Sequence, residues 1–572
     1  MSTMMVLDEF YGLDERKKTG DDLRFSPSMR NYRVTEDHTL QKRYGRSPVI
    51  PTSGTVTGLW SGYLGSKRWF LYTVNGKLYS LDPEQYESIE LGDIGSGENT
   101  LFEFGGKVYI KNENLFSSFD GMTLQVVTGY VPLVAIGCTP GGTGTPFEDT
   151  NLLTGKKRVK YSTDGIAYVF YLPERGLASV DDVKYDGISC PSGWTADLVN
   201  GIVTFDTPVT AGIDRLEICY DTGHDRKEVI YKASGVMRFG GDTDGHLFLW
   251  GNPDYPAYRF HSELADGQPS AEYFPENNYT VIGDTRITDI IAQYDRQLIF
   301  TKDRAYYSYC ELREDTLGNT FASFPVFNLN GEKGSLLENA GCIMENEPVT
   351  FCEDGLNKWA STTVENEKNA VCFSHPVGDT MKEWISSGRF SEMVLFNLRT
   401  DGELYFVLDG TALIYNYRLK VWYAYDNFPA EKMCEYGGKL FFTNENGIEF
   451  LDPESGYDPG GKFTAYFDSP LTGLGIRGRR KKLTEMGFTL RAAATPSLVV
   501  SYTDEEGDEF PVTTGISHYC GDGKTVSLTF RPPLFRTAKV KFRVSENDYA
   551  YLEICELHIS AVQKGKYGRT GL

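Results

Sequence analysis

The feature that most constrains the fold is a short phrase that recurs along the chain. Its fullest copy, GGKLFFTNENGIEFLDPE, spans residues 437–454. It predicts a hairpin, because Gly-Gly and Asn-Gly pairs reach the positive φ of a tight turn at little cost. Similar phrases are GGKVYIKNEN at residues 105–114 and NGKLYSLDPE at residues 75–84. Repetition of one hairpin indicates a β unit used several times.

Further segments show the same order of turn, alternating strand, turn and strand. With the copies above, they cover residues 69–82, 101–120, 246–260, 296–309, 348–360, 403–425 and 438–452. Where they are regular, they recur at roughly the 50-residue period of a propeller blade. Aromatic residues make up 13% of the chain, and 60 Gly and 25 Pro supply turns, a composition typical of β structure. We predict an all-β fold built on a β-propeller of about six to eight blades.

The strand pattern divides the chain into five parts. Residues 1–50 are predicted to be an extended N-terminal arm, or else a polar extension that pads the domain edge. The propeller is expected in two parts, residues 51–130 and 227–457. Strands within residues 131–226 predict an inserted β-sandwich-like domain, although two irregular blades would also account for them. Residues 458–572 carry short strands between turn signals, which predict a C-terminal β-sandwich followed by a tail.

Charge and cysteine usage limit the possible partners and compartment. The chain has 57 Lys and Arg against 79 Asp and Glu, a net charge of −22. Such a protein repels nucleic acid and anionic membranes, which argues against a protein that grips DNA but does not exclude a channel through which DNA slides without sticking. The 10 Cys form no C-x-x-C pair and no zinc spacing, which favours reduced core residues. The chain shows neither a signal-peptide core nor an apolar run of about 18 residues, so we expect no membrane segment and synthesis in a reducing cytoplasm.

Sequence motifs of enzymes and metal sites are missing. There is no phosphate-binding loop, no H-E-x-x-H and no G-x-S-x-G, and the 7 His are dispersed. We therefore predict a non-enzymatic protein with no catalytic, cofactor-binding or metal-binding residues. A glycosidase with two carboxylates in the propeller remains an alternative, since Asp and Glu are abundant. Residues 118–123 resemble a shortened sialidase Asp-box, a structural turn, and residues 242–245 could offer oxygen ligands to Ca²⁺ or form a solvated turn.

One basic run stands out in this acidic chain. It contains the candidate docking residues Arg477, Arg479, Arg480, Lys481 and Lys482. They could dock an acidic protein partner, which we favour over DNA, or phosphate. The alternative is a loop whose charges balance neighbouring carboxylates.

Three features together suggest a family. They are an N-terminal arm ending in a basic-Gly phrase, a propeller with an inserted β domain, and a C-terminal sandwich. This combination resembles the tail nozzle and packaged-DNA-stabilising proteins of short-tailed bacteriophages. Members tend to carry a basic-Arg-Pro-Gly phrase after a first strand, and here the phrase is Lys42-Arg43-Tyr44-Gly45, with Tyr44 in place of the proline. The run RKKLTEM at residues 480–486, followed by alternating strands, is also similar.

The resemblance implies a homo-oligomeric ring, usually a hexamer, in the virion tail. It would contact the portal or adaptor and other tail proteins, retain packaged DNA, and conduct double-stranded DNA without sequence-specific binding. Residues of the arm would be inter-subunit straps, namely Asn31, Tyr32, Lys42, Arg43 and Tyr44.

Two other functions are possible. The first is a carbohydrate-binding or glycoside-cleaving propeller that recognises a receptor. Aromatic residues around the propeller mouth would favour sugar binding, and a carboxylate pair with a raised pKa would favour hydrolysis. The second is a cellular scaffold propeller, against which the absence of WD-type signatures counts.

Overall fold

A computed structural model gives the fold of the chain. The structure describes residues 2–240, 245–314, 320–362, 369–475, 480–492, 498–519, 525–531, 539–546 and 552–563. Almost all regular structure in these ranges is β-strand. The described helices are short: two α-helices at Glu228–Tyr231 and Gly378–Ser387, and 3₁₀ turns at His375–Val377 and Phe390–Glu392. No helix in the described ranges has the length and apolarity to cross a membrane.

Most strands belong to four-stranded antiparallel sheets, of which the described residues contain seven. Blade 1 consists of Val56–Leu64, Lys67–Val74, Lys77–Asp82 and Glu87–Asp93, and blade 2 of Thr100–Phe104, Lys107–Lys111, Phe116–Phe119 and Leu124–Val126. Blade 3 consists of Gly235–Phe239, His246–Trp250, Tyr258–His261 and Tyr279–Val281. Blade 4 consists of Ile287–Gln293, Arg296–Thr301, Ala305–Tyr309 and Val326–Asn330. Blade 5 consists of Cys342–Met344, Glu347–Cys352, Gly355–Trp359 and Ala370–Cys372. Blade 6 consists of Val394–Leu398, Glu403–Leu408, Thr411–Asn416 and Val421–Tyr425. Blade 7 consists of Lys432–Tyr436, Lys439–Asn444, Gly447–Asp452 and Gly45–Pro51.

The seven sheets form a closed ring. The first strand of each blade contacts the first strand of the next, and the first strand of blade 7 contacts that of blade 1. This is the arrangement of a β-propeller, and the all-β prediction is confirmed. Two small hairpins extend from blades 3 and 4, formed by Leu264–Ala265 with Gln268–Pro269 and by Glu311–Glu314 with Thr320–Ser323.

The recurring phrase forms hairpins in three different blades. Gly437 and Gly438 have φ of +61° and +78° and join the first two strands of blade 7. The pair Gly105-Gly106 holds the equivalent place in blade 2. Asn75-Gly76 instead joins the second and third strands of blade 1. The predicted hairpins are therefore confirmed, and the third copy is displaced by one strand.

Between blades 2 and 3 lies the inserted domain. A six-stranded sheet and a three-stranded sheet share one apolar core, which includes Val159, Tyr161, Phe170 and Ile218. These sheets do not have the four-stranded form of a blade, so the segment is an inserted sandwich. In order, the strands of the six-stranded sheet are Thr145–Pro146, Leu133–Cys138, Lys156–Thr163, Gly212–Asp221, Ser179–Tyr185 and Ile188–Ser189. Those of the three-stranded sheet are Val169–Tyr171, Ile202–Phe205 and Trp194–Asp197.

The terminal domain is a β-sandwich made by both ends of the chain. Strand Glu509–Tyr519 pairs first with Leu498–Asp504 and then with Thr525–Arg531, so it passes from one sheet to the other. In order, the strands are Ser28–Arg30, Ala465–Asp468, Val540–Glu546, Leu498–Asp504, Glu509–Tyr519, Thr525–Arg531, Lys481–Ala492, Leu552–Gln563, Leu40–Lys42 and Tyr32–Val34, with Ser2–Leu7 also paired to Leu552–Gln563.

The prediction that residues 1–50 form an extended N-terminal arm is wrong. Residues 2–42 contribute strands to the terminal domain, and Gly45–Pro51 is the outermost strand of blade 7, paired with Gly447–Asp452. Pro48 and Pro51 are tolerated there because an edge strand needs hydrogen bonds on one side only. One apolar core continues from the N-terminal segment through blades 5 to 7 into the terminal domain. The segment predicted to be an extended arm thus joins the propeller ring to the terminal domain.

Candidate functional sites: the joint and the central cavity

The Lys42-Arg43-Tyr44-Gly45 phrase lies where the terminal domain meets the ring. We call this place the joint, defined by Asn31, Lys42, Arg43, Arg46 and Asp458. Arg43 Nη1 and Nη2 donate to Asp458 Oδ1 and Oδ2 at 2.9 and 2.6 Å, a bidentate pair. Arg43 Nε donates to Asn31 Oδ1 at 2.8 Å. Both charged side chains are buried, so the pair is shielded from solvent.

The residues on either side of Arg43 are anchored to different bodies. Lys42 Nζ lies 2.6 Å from Glu546 Oε2 of the terminal domain. Arg46 Nη1 lies 2.5 Å from Glu449 Oε2 of blade 7. Both pairs are buried. Because a buried charge without its partner is costly, the first pair fixes one end of residues 42–46 to the terminal domain, and the second fixes the other end to blade 7. This short segment therefore links the terminal domain to the ring.

Asn31 closes the joint from the other side. Its φ is +59°, a conformation that Asn accepts more readily than most residues. Its Nδ2 donates to Thr464 O at 2.7 Å and also to Asp426 Oδ1. The ring of Phe463 covers the guanidinium of Arg43 at 3.8 Å. Segments that are hundreds of residues apart in sequence thus meet around one cation.

The residues predicted to be inter-subunit straps are covered mainly by other segments of the same chain. Asn31, Tyr32, Lys42 and Arg43 are buried, and Tyr44 is half-buried with the Arg33 guanidinium 5.2 Å from its ring centroid. Burial raises the pKa of Tyr32 above its usual range. The four buried side chains are therefore not available as straps to another subunit, and for Tyr44 the inter-subunit role stays a prediction. Their carboxylate partners follow no local sequence pattern, and no signal in the sequence could have identified them.

The predicted docking run begins a strand of the terminal domain. Arg480 is exposed, but Lys481 is 3% exposed, and burial lowers the pKa of Lys481. Lys482 is half-buried and pairs with Val562. Arg477 and Arg479 lie outside the described residues. Of the described members, only Arg480 has the exposed side chain that docking requires. Strand formation turns the side chain of Lys481 inward.

The minor turns behave as structural elements. Asp120 Oδ1 accepts from the N–H groups of Met122 and Thr123 at 2.8 and 2.7 Å, so the Asp-box-like phrase is a turn held by its Asp. Residues 242–244 lie outside the described part of the chain. None of the nine cysteines in the described ranges forms a disulfide.

A cavity of about 740 Å³ occupies the centre of the ring. Inner strands of blades 1 and 3 to 7 line it. This is the size of a small-molecule pocket. Its aromatic lining residues are Trp60, Tyr63 and Phe396.

The polar groups of this cavity come mainly from blades 1, 6 and 7. Arg68 and Arg399 supply the cations, and Glu435 is the carboxylate among its described lining residues. The Arg68 guanidinium lies 4.7 Å from the Tyr436 ring centroid and 5.7 Å from that of Tyr63, and its Nη2 donates to Glu435 O at 3.2 Å. The described lining therefore presents a positioned cation beside exposed aromatic surface.

A second carboxyl group lies behind the cavity wall. Asp289 is fully buried, and its oxygens accept from the N–H groups of Gly341 at 2.5 Å and Ile290 at 2.9 Å. Burial raises its pKa to about 7. Asp289 does not line the cavity. The raised pKa expected of a glycosidase is present, but the described lining does not present two carboxylates to a substrate.

Comparisons with known proteins give no family. No protein-family model matches the chain, and no curated protein matches it. Among solved structures, it is similar to the extracellular domain of a protein described as a one-component system from B. thetaiotaomicron, at 10% identity, over 89% of this chain and 76% of that one, with a TM-score of 0.20. A glycoside hydrolase matches at 10% identity over 90% and 99%, with a TM-score of 0.21. Hsv2 of Kluyveromyces lactis matches at 10% identity over 65% and 97%, with a TM-score of 0.23. We draw no functional conclusion from similarities at this level.

Proposed function

We propose that this chain is a non-enzymatic structural subunit of a short-tailed phage virion. Copies of it would form a ring at the portal and tail, usually a hexamer, that retains packaged DNA and conducts it on infection. The observation that carries the proposal is an exposed apolar tip on the inserted domain. A monomer that leaves such a surface in water has an unmet need for a partner.

The tip consists of Ile166, Ile188 and Ile213, which are 76%, 73% and 83% exposed. The inserted domain leaves the ring at the start of strand Leu133–Cys138 and returns at the end of strand Gly212–Asp221. Ile213 is at the opposite end of that returning strand, which places the tip away from the ring.

The three isoleucines belong to neighbouring turns. Gly165, next to Ile166, packs against Ala211, two residues before Ile213. Ile188 pairs with Tyr185, whose hydroxyl donates to Thr210 O at 3.3 Å. The sequence contained a sign of this surface, since Ile213 is out of phase with the buried Leu216 and Ile218 of the same strand.

The joint supports the same proposal. A subunit that resists the pressure of packaged DNA must not bend between its domains, and buried ion pairs of Lys42, Arg43 and Arg46 fix the short segment that links the terminal domain to the ring. A ring of identical chains also needs a heterologous interface that closes. We infer that the tip of one subunit contacts a different surface of the next.

The DNA channel would lie between subunits. The central cavity of one propeller, about 740 Å³, has the size for a small molecule. A lumen shared by several acidic subunits would repel phosphates and let the double helix slide. The net charge of −22 fits that requirement.

Charging the tip is expected to prevent ring formation. The double variant Ile166→Asp, Ile213→Asp should be monomeric where the wild type forms closed rings, because two carboxylates would have to be desolvated at the interface. Light scattering after size exclusion and negative-stain images measure this. The melting temperature should change little, since both side chains are exposed.

Val199→Asp is the matched control. Val199 is an exposed apolar residue of the same domain, and Val199 O accepts from Gly176 N–H, near the end that joins the ring. This variant should still form rings. Rings formed by the tip variant would refute the role of the tip. A wild type that stays monomeric at high concentration and fails to join tail particles would refute the proposed function.

A second candidate function is recognition of an acidic sugar in the central cavity. It is favoured by the exposed Tyr63 ring beside the Arg68 guanidinium, since aromatic faces and cations bind carboxylated sugars well. Such binding would make the protein a receptor-recognising tail component.

Removal of the exposed ring tests this candidate. Tyr63→Ala is expected to weaken binding of uronic-acid oligosaccharides by about tenfold or more, measured by calorimetry. Tyr86→Ala, at an exposed turn of the same blade, should bind as the wild type does. If the wild type binds none of these oligosaccharides, or if Tyr63→Ala binds them equally well, the candidate fails.

A further inference from the structure

A buried arginine lies between blades 3 and 4 without an acidic partner. Arg259 is fully buried. Its Nη1 donates to Gln297 Oε1 at 2.6 Å, and its Nη2 donates to Phe324 O at 3.0 Å and Thr280 Oγ1 at 3.4 Å. All three acceptors are neutral. Within the described ranges, no carboxylate lies at ion-pair distance from this guanidinium, and burial lowers the pKa of Arg259 to about 9.

Four polar atoms at this place, one of them on Arg259 itself, have no hydrogen-bond partner. Arg259 Nε, His261 Nδ1, Gln297 Nε2 and Ser308 Oγ are buried and make no hydrogen bond to any described residue. Buried polar groups in proteins are nearly always hydrogen-bonded, so a cluster of exceptions calls for a missing partner.

Strand register brings these atoms together between blades 3 and 4, a place that we call the gap. Gln297 and Ser308 are cross-strand partners in blade 4, so their side chains leave the same face of that sheet. Arg259 and His261 are two residues apart on one strand of blade 3 and share a face as well. The bond from Arg259 to Gln297 shows that the two faces oppose each other.

The surroundings of the gap are apolar. The ring of Phe248 stacks on His261 at 5.4 Å and lies 5.0 Å from the Arg259 guanidinium. Phe324 packs on both Phe248 and His261, with ring centroids 4.8 and 5.1 Å apart. Burial lowers the pKa of His261 to about 3, so its imidazole is neutral. The net charge of the group is therefore the single positive charge of Arg259.

The unpartnered atoms have the character of donors. Arg259 Nε–H and the Gln297 Nε2–H can only donate, Ser308 Oγ–H can donate, and a neutral imidazole donates in the Nδ1–H tautomer. We infer that the gap between blades 3 and 4 binds a small monovalent anion of halide size, held by Arg259, Gln297, Ser308 and His261. The anion neutralises the guanidinium and satisfies the orphaned donors, which fastens the two blades together. This inference does not depend on the proposed function.

A bromide derivative tests the site directly. Crystals of the full chain grown or soaked in sodium bromide should show an anomalous peak within hydrogen-bond distance of Arg259 Nε and Gln297 Nε2. In solution, the apparent melting temperature should be higher in sodium chloride than in sodium gluconate of equal ionic strength. A rise of about 2 °C or more is expected, because an ion that binds only the folded state stabilises it.

A charge introduced at Gln297 should replace the ion. Gln297→Glu places a carboxylate beside Arg259, so we expect this variant to lose the difference between chloride and gluconate. Gln85→Glu, at an exposed turn of blade 1, adds the same charge elsewhere and should keep the difference.

Two results would overturn the inference. One is a wild-type bromide crystal with no anomalous peak in the gap, or with water alone there. The other is a chloride effect that Gln297→Glu retains in full. The crystal result stands even if the Gln297→Glu variant fails to fold.

Discussion

Arg43→Met is expected to lower the free energy of unfolding by about 3 kcal/mol or more, because it leaves Asp458 as a buried charge without its bidentate partner. Methionine keeps apolar contact with Phe463, so the loss reports on the polar contacts. Arg46 Nε, 3.4 Å from Asp458 Oδ1, limits the effect by keeping one cation nearby. Urea unfolding followed by tryptophan fluorescence measures the change.

An exposed ion pair provides the control for Arg43→Met. Arg24 Nε lies 2.9 Å from Asp22 Oδ1, but both side chains are more than a third exposed. Arg24→Met should therefore cost less than about 1 kcal/mol. The double variant Arg43→Met, Asp458→Asn should recover part of the loss, because the uncompensated charge is gone. If Arg43→Met is no less stable than Arg24→Met, the joint does not hold the two bodies together.

Gly45→Ala is the second substitution with a large expected effect. A Cβ at this position would lie 2.0 Å from Tyr457 O and 2.6 Å from Tyr457 N. These are backbone atoms, and Tyr457 O also accepts from Arg46 N–H at 3.0 Å, so they cannot move aside without breaking the joint. We expect a loss of about 3 kcal/mol in the same unfolding measurement.

Gly460→Ala is the matched control for Gly45→Ala. It lies on the same connecting segment as Tyr457, and an added Cβ would meet no heavy atom within 4 Å. Its stability should stay within about 0.5 kcal/mol of the wild type. Equal stability of the two alanine variants would mean that Gly45 is not held against Tyr457. Neither glycine has a positive φ, so backbone strain does not confuse the comparison.

The blade hairpins could be predicted because their signals are local. Gly437-Gly438 and Asn75-Gly76 adopt positive φ within a few residues of the strands that they join. The inserted domain was also predictable, since its strands are continuous in sequence between two blades. The closing strand of blade 7 was not, because Gly45–Pro51 pairs with residues about 400 positions away and its two prolines disguise it.

The candidate sites depended more strongly on long-range contacts. Lys42 and Arg43 look like surface charges in sequence, because lysine and arginine are rarely buried without partners. Glu546 and Asp458, the partners that permit their burial, are brought to them only by the folded terminal domain. The polar gap around Arg259 likewise exists only where two blades face each other.

The sequence by itself determined that the chain is all-β, that its unit is a repeated hairpin, and that its net charge is strongly negative. Turn chemistry, strand alternation and composition act over a few residues and need no partner. Only the tertiary structure decided that the N-terminal segment is a buried link between the ring and the terminal domain, that Lys481 is turned inward, and that Ile213 is exposed at a tip. These properties come from pairing and burial between distant segments, where the free energy of a charge or an apolar side chain depends on which neighbours the fold supplies.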